Sequence, residues 1–218
     1  MTSLPTPLVC LVTDRHRLSA GGTADQKVEA LERFLEEAVD AGVDVIQLRE
    51  RDLDAGLLCR LVRRVTERAA ARDVRVIVND RADVALAAGA DGVHLRDDGP
   101  PAVKVRRLSS RWIIGRSVHP DSCPEPDADY LLFGTVFGTT SKPGVVPTGL
   151  APLTALASSL RQPVIAIGGV TPDRAAACRR AGAAGIAAIG AFLPAGTGPG
   201  ALGVTGAVRA FRAALEGA

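Results

Sequence analysis

The chain has 218 residues, of which 47% are hydrophobic and 3% aromatic, and its formal net charge is +2. This length and apolar content suit one domain with a sizeable core, and the few aromatic rings argue against a base-stacking surface for nucleic acid. Scattered cations, no apolar stretch of 18 residues and no leader-like N-terminus favour a soluble cytoplasmic protein without a nucleic-acid or membrane partner.

Eight short runs rich in Val, Ile and Leu recur along the chain. They predict strands that are buried on both faces, as in a parallel sheet. The runs are Leu8–Thr13, Val43–Leu48, Val74–Val78, Gly92–Leu95, Trp112–Val118, Tyr130–Phe137, Val164–Ile167 and Gly185–Ile189.

Amphipathic segments separate most of these runs and predict seven helices. The segments are Thr23–Ala41, Asp52–Arg72, Arg81–Ala88, Pro101–Ser109, Gly149–Leu160, Thr171–Ala181 and Pro199–Leu215. Between strands five and six the run PDSCPEPDAD has three prolines in ten residues, which favours a loop or a single turn.

Strands alternating with helices predict an α/β fold: a single eight-stranded β/α (TIM) barrel over residues 1–218, with a shortened fifth crossover. An open, doubly wound sheet is the alternative, and it would gather the strand ends in one crevice rather than around a ring. The four cysteines form no C-x-x-C pair, so no zinc or redox site is expected. Cys10 and Cys59 lie in apolar patterns and are predicted to be buried thiols.

Polar residues follow the predicted strands, at the end where β/α barrels place their active sites. Gln47, Arg49 and Arg51 alternate along strand two or just past it, so a period of two points them the same way. Together with Lys142 they would bind an anion, because arginine pairs bidentately with phosphate or carboxylate. The alternative is ion pairing with nearby carboxylates, namely Glu50, Asp52 and Asp80.

Small residues follow strands seven and eight, at Gly168-Gly169 and Gly190-Ala191. Loops of this kind let a phosphate approach backbone N–H groups, and a helix N-terminus adds a favourable dipole. These residues therefore predict a phosphate site, and the alternative is that the glycines only permit a tight turn.

Three further residues are ambiguous on the sequence alone. Asp80 could ligate Mg²⁺ or cap the helix that begins at Arg81 or Ala82. His119 ends strand five, where it could be a general acid or base or a structural residue. His94 is expected to point into the barrel wall or core.

Five segments of the chain, in order, resemble the superfamily of thiamine phosphate synthase and its TenI-like relatives. They are Ile46–Arg51, Val78–Leu95, Gly115–His119, Ala128–Gly144 and Pro163–Arg174. The resemblance covers nearly the whole chain. It implies a TIM barrel that acts in thiamine biosynthesis on a phosphorylated thiazole.

For the synthase branch, the resemblance implies the coupling of hydroxymethylpyrimidine diphosphate to thiazole phosphate with Mg²⁺ on the leaving diphosphate. Asp80 would be the first magnesium ligand, and the small residues after strands seven and eight would hold the thiazole phosphate. The implied diphosphate contacts are Gln47, Arg49, Arg51, Asn79, Thr139, Ser141 and Lys142.

The segment after strand four departs from the synthase pattern G-Q-E-D. Here the residues are Arg96-Asp97-Asp98-Gly99, so Gly99 stands where the second magnesium ligand is expected. Loss of that carboxylate should weaken metal binding.

The TenI-like branch tolerates this loss, because thiazole tautomerisation is a proton shift that needs no metal or other cofactor. We therefore expect a TenI-like thiazole tautomerase with His119 as acid/base, and with Ser117 added to the substrate-binding set. The alternatives are a magnesium-dependent thiamine phosphate synthase and a non-catalytic barrel that binds a phosphorylated ligand. A homo-oligomer is left open.

Overall fold

The computed structural model describes residues 4–19, 21–122, 126–197 and 200–218. Eight parallel strands close into a barrel in chain order, and β8 pairs with β1 through Cys10 opposite Ala187. The strands are β1 Leu8–Val12, β2 Val45–Leu48, β3 Arg75–Asn79, β4 Gly92–Leu95, β5 Ile113–Val118, β6 Tyr130–Phe133, β7 Val164–Ile167 and β8 Gly185–Ala188. The predicted barrel is confirmed, and the open sheet is excluded.

Helices follow seven of the eight strands in the described residues. They are α1 Arg15–Leu18, α2 Ala24–Ala41, α3 Ala55–Ala70, α4 Ala82–Ala88, α5 Ala102–Arg106, α6 Leu150–Ser159, α7 Pro172–Arg180 and α8 Val204–Glu216. The one-turn α1 was not predicted. The described part of the fifth crossover, residues 119–122 and 126–129, contains only turns and irregular chain, whereas Cys123 and Pro199 lie outside the described residues.

The barrel interior is filled by inward-facing side chains rather than left as a pore. They are Leu8, Cys10, Val12, Val45, Ile77, Ile113, Tyr130, Leu132, Ile165 and Ala187. Gly115 makes room among them, because a Cβ on it would lie 2.0 Å from Cζ of Tyr130. The outward strand faces pack against the helices in a second, larger apolar layer.

Local sequence accounts for how the elements begin and end. Thr23 caps α2 by a reciprocal capping box with Gln26, and Gly42 ends the helix in the left-handed conformation, as these residue types favour. β6 is shorter than predicted, because the chain leaves regular strand pairing at Gly134, where a Cβ would lie 2.2 Å from the Ile167 oxygen. Cys10 is buried as expected, but Cys59 on α3 is only partly buried.

No helix within the described ranges combines the length and the apolar character that a membrane span requires.

Candidate active site

The carboxyl ends of the strands surround a cavity of about 480 Å³. The structure brings together there every predicted site residue except Asp80, which does not line the cavity. The predicted residues that line the cavity are Gln47, Arg49, Arg51, Asn79, Ser117, His119, Thr139, Ser141, Lys142, Gly168, Gly169, Gly190 and Ala191. The polar strand ends therefore do converge on one site, as the barrel topology requires.

Positive charge concentrates on one wall of this cavity. Arg49, Arg51 and Lys142 all line it, and their side chains form no hydrogen bond or ion pair with any described residue. Burial lowers the pKa of Arg49, and the nearby Arg51 charge lowers it further. Burial also lowers the pKa of Lys142, with added repulsion from the two arginines. Such a cluster is stabilised by an anion that supplies the missing negative charge.

Arg15, at the start of α1, explains why these cations stay unpaired. Its Nη1 donates to Oε2 of Glu50 at 2.9 Å, and its Nη1 and Nη2 donate to the two oxygens of Asp52 at 2.7 Å each. The acidic neighbours of Arg49 and Arg51 in sequence are thus held by a different arginine. Arg49 and Arg51 form no direct ion pair with Glu50, Asp52 or Asp80, although the charges of Glu50 and Asp80 still act on Arg49.

Arg17 is a cavity residue that the sequence analysis missed. Its Nη1 donates to the Ser141 hydroxyl, and its Nη2 donates to the Thr140 hydroxyl at 3.0 Å. It therefore connects α1 to the loop after β6. The sequence does place Arg17 shortly after β1, but the residues next to it have the same position, so this signal does not single it out.

A second group of hydrogen-bond donors lies across the cavity, where β7 and β8 end. The backbone N–H groups of Gly169 and Gly190 line this side and donate to no acceptor among the described residues. The buried Thr171 hydroxyl at the start of α7 also has no partner in that part of the chain. Unpaired buried donors are rare in proteins, so this side is suited to phosphate oxygens.

His119 and His94 differ in their surroundings. The Nδ1 of His119 lies 2.6 Å from the carbonyl oxygen of Gly134. Because a carbonyl only accepts, Nδ1 carries the proton and Nε2 is the acceptor of the neutral ring. His94 is buried inside the barrel, as expected, between the hydroxyls of Tyr130 at 3.0 Å and Ser117 at 2.9 Å.

Asp80 has hydrogen-bond partners of its own. Its Oδ1 accepts from the Arg96 backbone N–H at 3.1 Å, and its Oδ2 accepts from the Asn79 amide at 2.9 Å. The Nε of Arg96 lies 3.3 Å from Asp80 and 3.4 Å from Asp98. Arg81 occupies the N-cap of α4 with no side-chain cap bond, so the interpretation of Asp80 as a helix cap is wrong.

This arrangement does not fit a magnesium site. Both oxygens of Asp80 already accept protein hydrogen bonds, and a guanidinium lies between the two carboxylates that could approach a metal. No group of three or more His, Cys, Asp or Glu side chains in the described ranges could hold a metal ion. Magnesium bound through one or two carboxylates would have to displace the Arg96 guanidinium from Asp80 and Asp98.

Barrel and cavity together define an α/β-barrel protein with a cation-lined cavity at the carboxyl ends of its strands. The TMP-TENI family model, described as thiamine monophosphate synthase, matches residues 9–192. The chain belongs to this family, as its sequence motifs indicated.

Several relatives carry the same name. The chain is 41% identical over 192 residues to the putative thiamine-phosphate synthase of Geobacter sulfurreducens, covering 84% of this chain and 85% of that one. It is 38% identical to the thiamine-phosphate synthase of Roseiflexus castenholzii, covering 85% and 81%. A thiamine phosphate pyrophosphorylase structure from Pyrococcus furiosus superposes with a TM-score of 0.79 at 30% identity, covering 97% and 96%.

Proposed function

We propose that this chain is a thiamine-phosphate synthase, which joins hydroxymethylpyrimidine diphosphate to a thiazole phosphate and releases diphosphate. The observation that carries the proposal is one cavity with two separate anion-binding sides. Unpaired cations line one side, and unpaired backbone donors line the other. The names of the relatives at about 40% identity support the same reaction. This assignment replaces the tautomerase as the leading interpretation.

The two sides have different tasks in this reaction. The Gly169 and Gly190 amides anchor the thiazole phosphate and so fix the position of the nucleophilic ring. Arg49, Arg51 and Lys142 hold the diphosphate. The bond between the exocyclic methylene carbon of the pyrimidine and the diphosphate oxygen breaks, and the thiazole nitrogen forms the new bond to that carbon. The leaving oxygen takes the electron pair of the broken bond, and the cations stabilise its growing charge.

Gln47 orients the bound ligand. Its Nε2 donates to Oδ1 of Asn79 at 2.8 Å, which fixes the side-chain amide, while its buried Oε1 has no partner in the described residues. An acceptor held in this way selects a ligand with an N–H or O–H group at that position.

The experiment that tests the proposal supplies purified protein with both substrates, with each alone, and with the carboxylated thiazole phosphate. We expect coupled product only when both halves are present. Lys142→Gln should lower coupling by about 10²-fold, the cost of removing one preorganised donor. Arg111→Gln, an exposed arginine at the opposite end of the barrel, is the matched control and should leave coupling unchanged. Turnover of the carboxylated thiazole without coupling would contradict the proposal.

Thiazole tautomerisation is the second candidate, and the tautomer of His119 favours it. In the neutral imidazole, Nε2 can accept a proton from one position of the thiazole ring and return it to another. In a tautomerase, His119→Gln should lower turnover by about 10²-fold, in line with general acid–base catalysis, with thiazole phosphate affinity unchanged. His16→Gln, an exposed histidine outside the cavity lining, is the control. If His119→Gln lowers turnover by no more than a few-fold, this histidine takes no part in the proton transfer.

A further inference from the structure

Arg96 is a cavity-lining residue on the loop after β4 that the proposed coupling does not yet use. Its Nε is anchored between Asp80 at 3.3 Å and Asp98 at 3.4 Å. Its two terminal nitrogens donate no hydrogen bond to any residue that the structure describes. With carboxylates beside Nε and no hydrogen bond from either Nη group, the guanidinium can donate to two oxygens of one anion.

The loop that carries Arg96 is fixed by a buried arginine on β5. Arg116 donates through Nη1 to the carbonyl oxygen of Pro100 at 2.8 Å, and through Nη2 to that of Asp97 at 2.9 Å. Within the loop, the Gly99 N–H donates to the Arg96 oxygen at 3.0 Å. The loop therefore holds the Arg96 backbone next to Asp80, and the side chain starts from a defined position.

Charge balance assigns a role to this arrangement. Asp80 and Asp98 pair with Arg96, so neither carboxylate is free. The charges of Asp14, Glu50 and Asp80 only partly offset burial and the repulsion from Arg51, and the pKa of Arg49 stays lowered. The place between the two carboxylates, where a divalent cation would lie, is held by the guanidinium instead.

We infer that Arg96 is a diphosphate-binding residue that takes the place of a metal ion, so that this chain binds diphosphate without Mg²⁺. The inference rests on the proposed function and goes beyond it. The Nη groups of Arg96 donate hydrogen bonds to diphosphate oxygens as the leaving oxygen takes the electron pair. No proton is transferred, because the guanidinium stays protonated throughout.

Calorimetric titration with inorganic diphosphate tests the inference on the intact protein, in EDTA and in Mg²⁺. We expect the parent dissociation constants in the two buffers to agree within about threefold. Arg96→Gln should weaken binding in EDTA by about 10-fold to 100-fold, the usual worth of hydrogen bonds to a charged group. Arg111→Gln controls for the loss of one positive charge far from the cavity.

Thermal unfolding of each variant separates a binding loss from a folding loss, and Arg96 is exposed enough that its variant should unfold like the parent. A tenfold gain in parent affinity on adding Mg²⁺ would overturn the inference while leaving the proposed coupling intact. Unchanged affinity of Arg96→Gln in EDTA would overturn it as well. No binding in either buffer would contradict both the inference and the proposed function.

Discussion

Gly169 has a backbone φ of +61°, and a Cβ on it would lie 2.3 Å from the carbonyl oxygen of Gly138. Backbone conformation and the loop after β6 therefore require glycine here, whatever the cavity binds. Gly190 differs: its φ is not in the left-handed range, and a Cβ would come no closer than 3.7 Å to its nearest neighbour, Arg17. The tight-turn explanation thus holds for Gly169 and fails for Gly190.

Alanine at these two positions separates folding from phosphate binding. Gly169→Ala should lower the free energy of unfolding by about 1–3 kcal/mol, the cost of a strained non-glycine residue. Gly190→Ala should change it by no more than about 0.5 kcal/mol but weaken binding of inorganic phosphate, because the methyl group narrows the approach to the amide. Urea unfolding and calorimetric titration measure the two effects. Unchanged phosphate affinity in Gly190→Ala would contradict the phosphate site.

Site residues could be predicted where the sequence pattern that identifies them spans only a few neighbouring residues. The alternation of Gln47, Arg49 and Arg51 lies within five consecutive residues, and all three line the cavity as it predicts. Strand geometry accounts only for Gln47, because β2 ends at Leu48. The partners of Arg17 lie on another loop, as does Asp80, one of the two partners of Arg96. The cationic side chains give no indication of which oxygens they reach. These contacts depend on how the loops pack, which no local pattern records.

At the scale of elements, the ion-paired cluster of Arg15, Glu50 and Asp52 joins α1 to the loop after β2. Burial raises the pKa of Glu50, so its ionised form depends on the hydrogen bonds that oppose this effect. The side chains of Arg15 and Glu50 are 9% and 1% exposed. Removing one partner from a pair this buried leaves an uncompensated charge.

Arg15→Leu should therefore lower the free energy of unfolding by about 3 kcal/mol. Adding Glu50→Gln removes the stranded charge and should restore part of that loss, so the two effects should not be additive. Arg64→Leu breaks an exposed pair with Glu32 and should cost less than about 1 kcal/mol. Urea unfolding of the single and double variants checks this, and additive losses at Arg15 and Glu50 would refute the coupling.

The order of the helices and strands was predicted better than the residues at which they begin and end. Long amphipathic stripes identified α2 and α3 because they extend over four or more turns. The predicted strand at Tyr130–Phe137 was too long, because apolar residues continue past Gly134 while the close approach of Ile167 ends the regular pairing. The one-turn α1 is too short for any periodicity to reveal.

At the scale of the whole molecule, ring closure followed from the number and order of the strands, since eight strands with helical crossovers satisfy the barrel rule. The side-chain contacts inside the barrel could not be predicted in the same way. His94 lies in an apolar run, yet its two hydroxyl partners come from β5 and β6, which only the closed barrel places beside it. Burial lowers its pKa to about 3, and the charges of Arg116 and Arg49 add to that effect.

This buried histidine makes the stability of the barrel depend on pH. Because the folded pKa of His94 is depressed, acid protonates the unfolded chain first. Stability is therefore complete above the ordinary histidine pKa of 6.5 and is lost as the pH falls from 6.5 towards 3. Between pH 7 and pH 5 the loss should be about 2 kcal/mol. Urea unfolding at the two pH values measures it.

His94→Gln keeps a polar side chain between Tyr130 and Ser117 but cannot take up a proton. The variant should be less stable than the parent at pH 7, because one amide cannot reproduce both ring contacts. Its loss between pH 7 and pH 5 should nevertheless be smaller by about 2 kcal/mol. The other titrating groups are common to both proteins, so the difference between the two pH dependences belongs to His94. If parent and variant lose the same free energy over this range, the neutral histidine inside the barrel is not what makes the fold sensitive to acid.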